Sequence, residues 1–368
     1  MEKETQSSNG SGANQKKKNI AAVVWIGIML VAAGVAAFLL FHTPESKTDD
    51  RSVEAKGKET QQAIATDIVT EAKSNTEAGT LSEPATEDST KSTEHQIDFD
   101  KIDTTVMQNA DVKNLLLIGQ DRRPGQGRQR SDCMIICSIN NKTGKITLCS
   151  LMRDMYVPIP GHPNNRINAA YIYGGMELLD QVIEESFGIH IDGNIEVDFD
   201  GFVKAMGVVG TFDIELKAEE AEFMNTSDWS KGSGFDVASW NLHEGVNALT
   251  PEQVLVYSRI RYVGHSDWER TERQRKVLTA IFNKLKSEEV SKILDEAGEV
   301  IQYVTTDLMP DELMGYVYTI ADGNIDMGEN YRIPVDGTYT SETIEGKSVL
   351  VPSLSKNAEY LKEYLYGE

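Results

Sequence analysis

Cysteine is scarce: Cys133, Cys137 and Cys149 are the whole complement of a 368-residue chain. An odd number is a poor match to a disulfide framework, and without C-x-x-C spacing a zinc or redox site has little support. The three read as buried thiols, which pack as small hydrophobes, with a cross-strand Cys137 to Cys149 bond as the lesser alternative. The six histidines, His42, His95, His162, His190, His243 and His265, lack H-x-x-x-H spacing, so zinc catalysis is not expected. There is no G-x-S-x-G, Walker loop or dinucleotide fingerprint, and no internal repeat. Basic residues are also short: 36 Lys and Arg face 58 Asp and Glu, a net charge of -22. That balance argues against a protein that coats nucleic acid, because such affinity comes from many cationic contacts to phosphate. Apolar residues nonetheless make up 40% of the chain, enough for a sizeable core.

Two long absences organise the N-terminal part. No charged residue occurs from Asn19 to Pro44, and Ile20 to Phe41 is an apolar run of 22 residues. As a helix it would extend about 33 Å, enough to span a bilayer and longer than the apolar core of a cleaved signal peptide. Lys16, Lys17 and Lys18 precede the run and Glu45 is the first charge after it, so residues 1 to 19 are expected in the cytoplasm and everything after residue 41 outside. Residues 45 to 96 then contain no Phe, Trp or Tyr and only five Val, Ile or Leu. Such a stretch cannot bury enough apolar area to offset ordering, so residues 42 to 104 read as a flexible stalk with a reach on the order of 40 Å.

From about Lys113 the pattern turns to mixed α/β, read as one domain over residues 105 to 368. Asn114 to Gly119 predicts a strand, and Asp132 to Ile139 with Lys145 to Leu151 predict a hairpin around Asn140 to Gly144. Met176, Leu179, Val182, Ile183 and Phe187 fall at helical spacing, followed by a strand region from Ile189 to Phe199 and a helix through Phe202, Val203 and Met206. Thr250-Pro251-Glu252-Gln253 reads as a capping-box helix start. Residues 218 to 245 look like a long insertion or rim loop, and residues 290 to 368 like helix, strand, strand, helix.

Charge is distributed unevenly. Residues 1 to 19 carry +2 and residues 42 to 110 carry -8, which leaves -16 on residues 111 to 368. Yet eleven of the twelve arginines in that acidic part lie between Arg122 and Arg275. They concentrate in two groups: Arg122, Arg123, Arg128 and Arg130, then Arg259, Arg261, Arg270, Arg273 and Arg275. Clustered arginine suits a gripped phosphate or carboxylate, although arginines paired with surface acids would look the same. Asp121, Asp132 and Asp154 are expected to converge at one end of a sheet, where hard oxygen ligands suit Mg²⁺, and Asp at strand ends is also common without a metal. Arg270 and Gln274 stand four apart on a helix face that continues through Leu278, Ile281 and Leu285. Core packing explains the apolar part of that face, and a headgroup site opening into a lipid groove would give the same gradient.

Six segments in order resemble one known family: Asn114 to Arg123, Arg130-Ser-Asp132, Ser150 to Asp154, Arg166 to Tyr171, Tyr257-Ser-Arg259-Ile-Arg261, and Asp267 to Gln274. On these the chain is similar to the LytR-CpsA-Psr proteins, most densely over residues 113 to 287. Gln120 and Arg122 depart from the small residues usual in the first motif, and Met152 from the common Pro. The resemblance implies a three-layer α/β/α catalytic domain with a mixed central sheet and a hydrophobic groove for a polyprenyl chain. It further implies transfer of a glycopolymer (teichoic acid, capsule or another glycan) from a polyprenyl-pyrophosphate carrier to peptidoglycan at the membrane surface, with Mg²⁺ and no nucleic acid. By motif, Asp121 and Asp132 are the implied metal ligands. Arg130, Arg153, Arg259, Arg261 and Arg273 with Gln274 are the implied pyrophosphate contacts, with Arg270 a less central member, and Asp121, Asp132 and Asp154 are all candidate acceptors of the hydroxyl proton. Two alternatives remain open, a non-catalytic lipid-carrier or cell-wall sensor that attenuates transcription indirectly and a polyprenyl-pyrophosphate pyrophosphatase. The expected orientation has a direct check: protease added to intact cells should digest the C-terminal domain, and full protection would reverse the topology.

Overall fold

A computed structural model describes residues 97, 99–100, 105–120, 122, 125–264, 267–288, 292, 296, 299–309, 312 and 326–367. The apolar run Ile20 to Phe41 and the stalk expected after it up to residue 96 lie outside the described residues. Among the described residues no helix is long and apolar enough to cross a membrane. The core is a mixed sheet of six strands: β1 (Val112–Gln120), β2 (Ser131–Asn140), β3 (Lys145–Leu151), β6 (Gly193–Val197), β9 (Thr305–Thr306) and β10 (Asp326–Ile333), in the order β10-β3-β2-β1-β6-β9. The expected hairpin is present, with Cys137 opposite Leu148 and Asn140 opposite Lys145. β1 runs parallel to β6, and β3 parallel to β10. Since β1 and β3 both run antiparallel to β2, the carboxyl ends of β1, β3, β6 and β10 share one edge of the sheet with the start of β2.

Why β1 reads as an unbroken apolar run is plain from its two faces, both covered by helices. Leu115 and Leu117 pack with α2 (Phe199–Val209), α4 (Pro251–Arg259) and α5 (Asp267–Ser287), through Phe202, Met206, Val254, Tyr257, Leu278 and Ile281. Leu116 and Ile118 pack with α1 (Asn168–Phe187) and α6 (Leu354–Tyr366), through Leu179, Val182, Ile183, Phe187 and Leu361. The alternation also settles the thiols. Cys137 faces the first cluster and Cys149 the second, so the two cannot bond, and all three cysteines are free and buried. Burial pushes the Cys137 and Cys149 thiols up to about 12, where they are inert. Thr250 caps α4 as expected: its side chain accepts from Gln253 N and Gln253 reciprocates, with Pro251 in the first turn.

Three segments differ from expectation. α1 begins at Asn168, eight residues before the apolar spacing starts, and breaks helical geometry at Gly175 (φ 74°, ψ -151°), where a Cβ would come within 2.9 Å of the Arg128 guanidinium. Residues 218 to 245 are not simply a rim loop but contain α3 (Ala218–Thr226) and a further short helix, Asp228–Lys231. Among the described residues, the C-terminal part carries four strands, β9, β10, β11 (Tyr339–Ile344) and β12 (Lys347–Pro352), before α6. Among the described residues, three antiparallel pairs flank the sheet: β4 (Tyr156–Ile159) with β5 (His162–Arg166), β7 (Phe212–Leu216) with β8 (Gly245–Leu249), and β11 with β12.

α3 matters to the site because of Glu220. Its carboxylate accepts from Arg273 Nε at 2.7 Å, both side chains being 3% exposed, while Arg273 Nη1 and Nη2 donate to the carbonyls of Ile260 (2.8 Å) and Val263 (2.9 Å). One buried cation thus fastens α5, α3 and the segment leaving α4, which carries Arg261. Removing it leaves a buried carboxylate and two carbonyls without donors. Arg273→Ala should therefore cost about 3–5 kcal/mol in urea unfolding, against roughly 1 kcal/mol for the cap variant Thr250→Ala.

Candidate functional site

The carboxyl-end edge of a sheet with parallel strands is where loops and helix starts converge, and here they bring charge. Asp132 is the second residue of β2. Arg153 and Asp154 follow β3, Arg166 ends β5, Asn168 begins α1, Arg261 follows α4, and Asp267 and Arg270 open α5. Asp267 is the hub. Its carboxylate lies 3.4 Å from Arg153 Nη2, 3.4 Å from Arg261 Nε and 3.2 Å from Arg270 Nη1. Arg153 also reaches Asp132 (3.3 Å) and Asp154 (3.6 Å), and Arg166 reaches Asp154 (3.1 Å). Asn168 Nδ2 donates to Asp132 Oδ1 at 2.7 Å.

Four arginines thus face three carboxylates, and the shortfall is visible atom by atom. Arg261 Nη2, Arg270 Nε and Nη1, and Gln274 Nε2 are buried without a well-aligned hydrogen-bond acceptor. Such orphans are uncommon and call for an explanation. Burial pushes Arg270, only 1% exposed, down to about 9, with Asp267 opposing and Arg261 and Arg153 adding repulsion. It is still protonated at neutral pH. Arg261 is shifted down likewise, first by burial and then by Arg153. Arg153 goes the other way: burial opposes its charge, but Asp132, Asp154 and Asp267 outweigh it. Arg261 and Arg270 are therefore the under-compensated cations, and an anion placed between them would accept their free N–H groups. For Asp267, burial favours the neutral acid, and the three arginines overrule it to hold the carboxyl below the usual carboxylate range. For Asp132 burial wins and the carboxyl is raised, despite Arg153, the Asn168 bond, Arg270 and Arg261.

The residues singled out from sequence divide as follows. Arg153, Arg261, Arg270, Asp132 and Asp154 meet in this cluster. Gln274 lies on the same face of α5, its Oε1 accepting from Cys133 Sγ at 3.3 Å. Arg259 is the last residue of α4 and is 9% exposed. Arg130 is exposed just before β2. Arg273 stands apart, its guanidinium committed to Glu220 and two carbonyls as described above. Asp121 lies outside the described residues. Of the apolar face of α5, Leu278 and Ile281 are packed in the core. Sequence reasoning gave no role to Asp267, Arg166 and Asn168, although all three stand within the segments that carry the family resemblance.

A divalent cation can be tested against this donor set. Asp132 Oδ2 and Asn168 Oδ1 are buried oxygens without a donor. Among the described residues no three His, Cys, Asp or Glu side chains gather to hold a metal. One or two carboxylates with substrate phosphate oxygens is how Mg²⁺ is commonly held, so the oxygens present fit that ion.

The chain is similar in sequence and fold to several known proteins. The chain is 33% identical over 214 residues to a polyisoprenyl-teichoic acid–peptidoglycan teichoic acid transferase, TagU of Oceanobacillus iheyensis, an alignment spanning 55% of this chain and 61% of that relative's length. It is 28% identical over 266 residues to the regulatory protein MsrR of Staphylococcus aureus, covering 70% of this chain and 77% of MsrR. A solved structure of TagT bound to LI-WTA is 25% identical and superposes with a TM-score of 0.56 over 72% of this chain and 96% of TagT. TagV of B. subtilis, at 23% identity and a TM-score of 0.54 over 70% of this chain and 98% of TagV, shares the fold. The model of the LytR_cpsA_psr family matches residues 60–364, most of the chain, and the chain belongs to that family.

Proposed function

We propose that this protein is a membrane-anchored transferase that moves a glycopolymer from a polyprenyl-pyrophosphate carrier to a sugar hydroxyl of peptidoglycan, releasing polyprenyl phosphate. The observation that carries the reading is the set of buried, unaccepted N–H groups on Arg261 and Arg270 around a carboxylate already shared three ways. A diphosphate supplies the anionic acceptors those groups lack, and planar guanidinium forks suit its oxygens. The polyisoprenyl-teichoic acid on which TagU acts and the LI-WTA bound to TagT support the same class of donor.

The chain's own groups would share the work as follows. Arg153, Arg261 and Arg270, assisted by Gln274 and Arg259, bind the diphosphate and stabilise charge on the transferred and leaving phosphates, the main source of catalysis in phosphoryl transfer. The acceptor hydroxyl attacks the glycan-proximal phosphorus, its proton passes to a carboxylate, and polyprenyl monophosphate leaves. Asp154 is the favoured acceptor of that proton: Asp267 is spent on three arginines, Asp132 is only 4% exposed, and Asp154 keeps 20% of its side chain open. Mg²⁺ held by Asp132 and Asp121 would supply further neutralisation of phosphate charge. The polyprenyl chain would occupy a hydrophobic groove, and the run Ile20 to Phe41 would keep the domain at the outer face of the membrane where such a donor resides. A sensor without turnover is the competing reading, favoured by the name of MsrR. It needs no metal, so Mg²⁺-dependent formation of wall-bound product separates the two.

Incubating the purified chain with labelled lipid-pyrophosphate glycan, peptidoglycan and Mg²⁺ should give wall-bound label. Label released into water regardless of peptidoglycan would instead indicate a pyrophosphatase. Arg261→Ala should lower turnover about 10²–10³-fold, the usual cost of one electrostatic donor, with the unfolding midpoint nearly unchanged; full activity in this variant would remove Arg261 from the mechanism. Asp267 makes a pH-dependent contribution. Its folded pKa is depressed, so its stabilisation is present above the unfolded carboxylate pKa of about 4 and is lost as pH falls through the folded value. The stability gap between the wild type and Asp267→Asn should be constant from pH 7 to 5 and shrink below about pH 4 in urea melts. A gap that widened on acidification would contradict this assignment.

A further inference from the structure

Beside the arginine cluster, the β4–β5 hairpin and the first turns of α1 build a surface of different chemistry. Tyr173 is 43% exposed and Ile172 next to it 38%. The tyrosine is nonetheless held at two points. Its ring stacks on His162, with centroids 4.5 Å apart and planes 16° from parallel, and its hydroxyl accepts a 2.9 Å hydrogen bond from Asn165 Nδ2. A ring already fixed in one rotamer has less conformational freedom left to lose, so a ligand that covers it does so at lower entropic cost.

The surface is continuous with the charged site. Asp154 just before the hairpin and Arg166 at its end form an ion pair at 3.1 Å, and Ile167 N donates to Met155 O at 2.7 Å. Asn165, which holds Tyr173, is the neighbour of Arg166 in the same strand. Asn168, bound to Asp132, starts the helix that carries Tyr173 five residues later, about 7.5 Å further along its axis at 1.5 Å per residue. Tyr173, Ile172 and Asn165 are uncharged, so this side of the site offers a diphosphate little. It does suit a ligand with a flat C–H face to lie on a ring and hydroxyl or amide groups at its edges, which describes a pyranose. The exposed aromatic next to Arg261, Tyr262, stacks instead on the apolar Phe223, with centroids 6.1 Å apart. The two flanks of the cluster therefore differ in the partners of their exposed rings.

We infer that Tyr173, with His162 and Asn165, forms a subsite for one pyranose ring of the acceptor glycan, adjoining the ring whose hydroxyl reacts; that this glycan is an acceptor rests on the transferase reading above. The subsite positions the hydroxyl toward Asp154 and takes no part in the chemistry. The test is calorimetric titration of the full chain in detergent with a soluble β-1,4-linked oligomer of N-acetylglucosamine, in parallel with inorganic pyrophosphate. The wild type should bind the oligomer, Tyr173→Ala should bind it roughly tenfold more weakly, and Tyr173→Phe should retain most of the affinity. Pyrophosphate affinity and thermal midpoint should match in all three proteins. Absence of oligomer binding by the wild type, equal binding by wild type and Tyr173→Ala, or a parallel loss of pyrophosphate binding would overturn the inference. Because the titration needs no turnover, failure of the transferase reading would appear separately, as no wall-bound product from a wild type that still binds the oligomer through Tyr173.

Discussion

Around Asp267 three guanidiniums crowd one carboxylate, and the rest of the site is arranged to tolerate that imbalance. Burial above all, and then repulsion from Arg261 and Arg153, displaces Arg270 toward its neutral form, against the pull of Asp267. The arrangement persists because each arginine is anchored on a different rigid element. Arg153 leaves a sheet strand, Arg261 leaves a helix held by the Glu220–Arg273 pair, and Arg270 projects from α5. A site built this way is preorganised for an anion whose charge exceeds that of a single carboxylate. Its donors need not be gathered when the ligand arrives, which is where electrostatic catalysis draws its advantage.

How much of this could be read from the chain depends on the range of the interaction. The β2–β3 hairpin was legible because a polar turn separates two β-rich runs, and the start of α4 because Thr250, Pro251 and Gln253 meet within one turn. The convergence of Asp132, Arg153 and Arg261 was legible through motif order. Arg273 misled because it sits in the same helix as Arg270 and Gln274. At 100° per residue it projects about 60° to one side of Arg270 while Gln274 projects about 40° to the other, and only the tertiary structure puts Glu220 on that side. Asp267 was missed for the converse reason. A lone Asp at a helix start has an ordinary explanation in the helix dipole, and nothing local announces that two of its three partners come from other elements. Residues 218 to 245 resembled a loop because glycines and tryptophans punctuate them, whereas Glu220, whose carboxylate accepts from the backbone N–H of Lys217 at 2.9 Å, gives its segment a helical start.

The departures from the family's first motif, Gln120 and Arg122, have a shared physical account. Gln120 is 1% exposed and donates to Glu196, a buried carboxylate at the end of β6 that also accepts from the Tyr171 hydroxyl. Arg122 pairs with Asp198 at 2.8 Å and lies 3.9 Å from Glu196. A small residue at position 120 would leave Glu196 with one donor fewer in a dry environment, a substantial cost for an ionised group. Gln120 also accepts from the backbone N–H of Gln129 at 3.0 Å, tying the two ends of the loop between them. The polar side chains thus do structurally what small residues would leave to backbone packing. Arg122 is thereby committed to Asp198 and Glu196 within the fold. Of the arginines along this edge of the sheet it is Arg153, Arg261 and Arg270, not Arg122, that converge on Asp267.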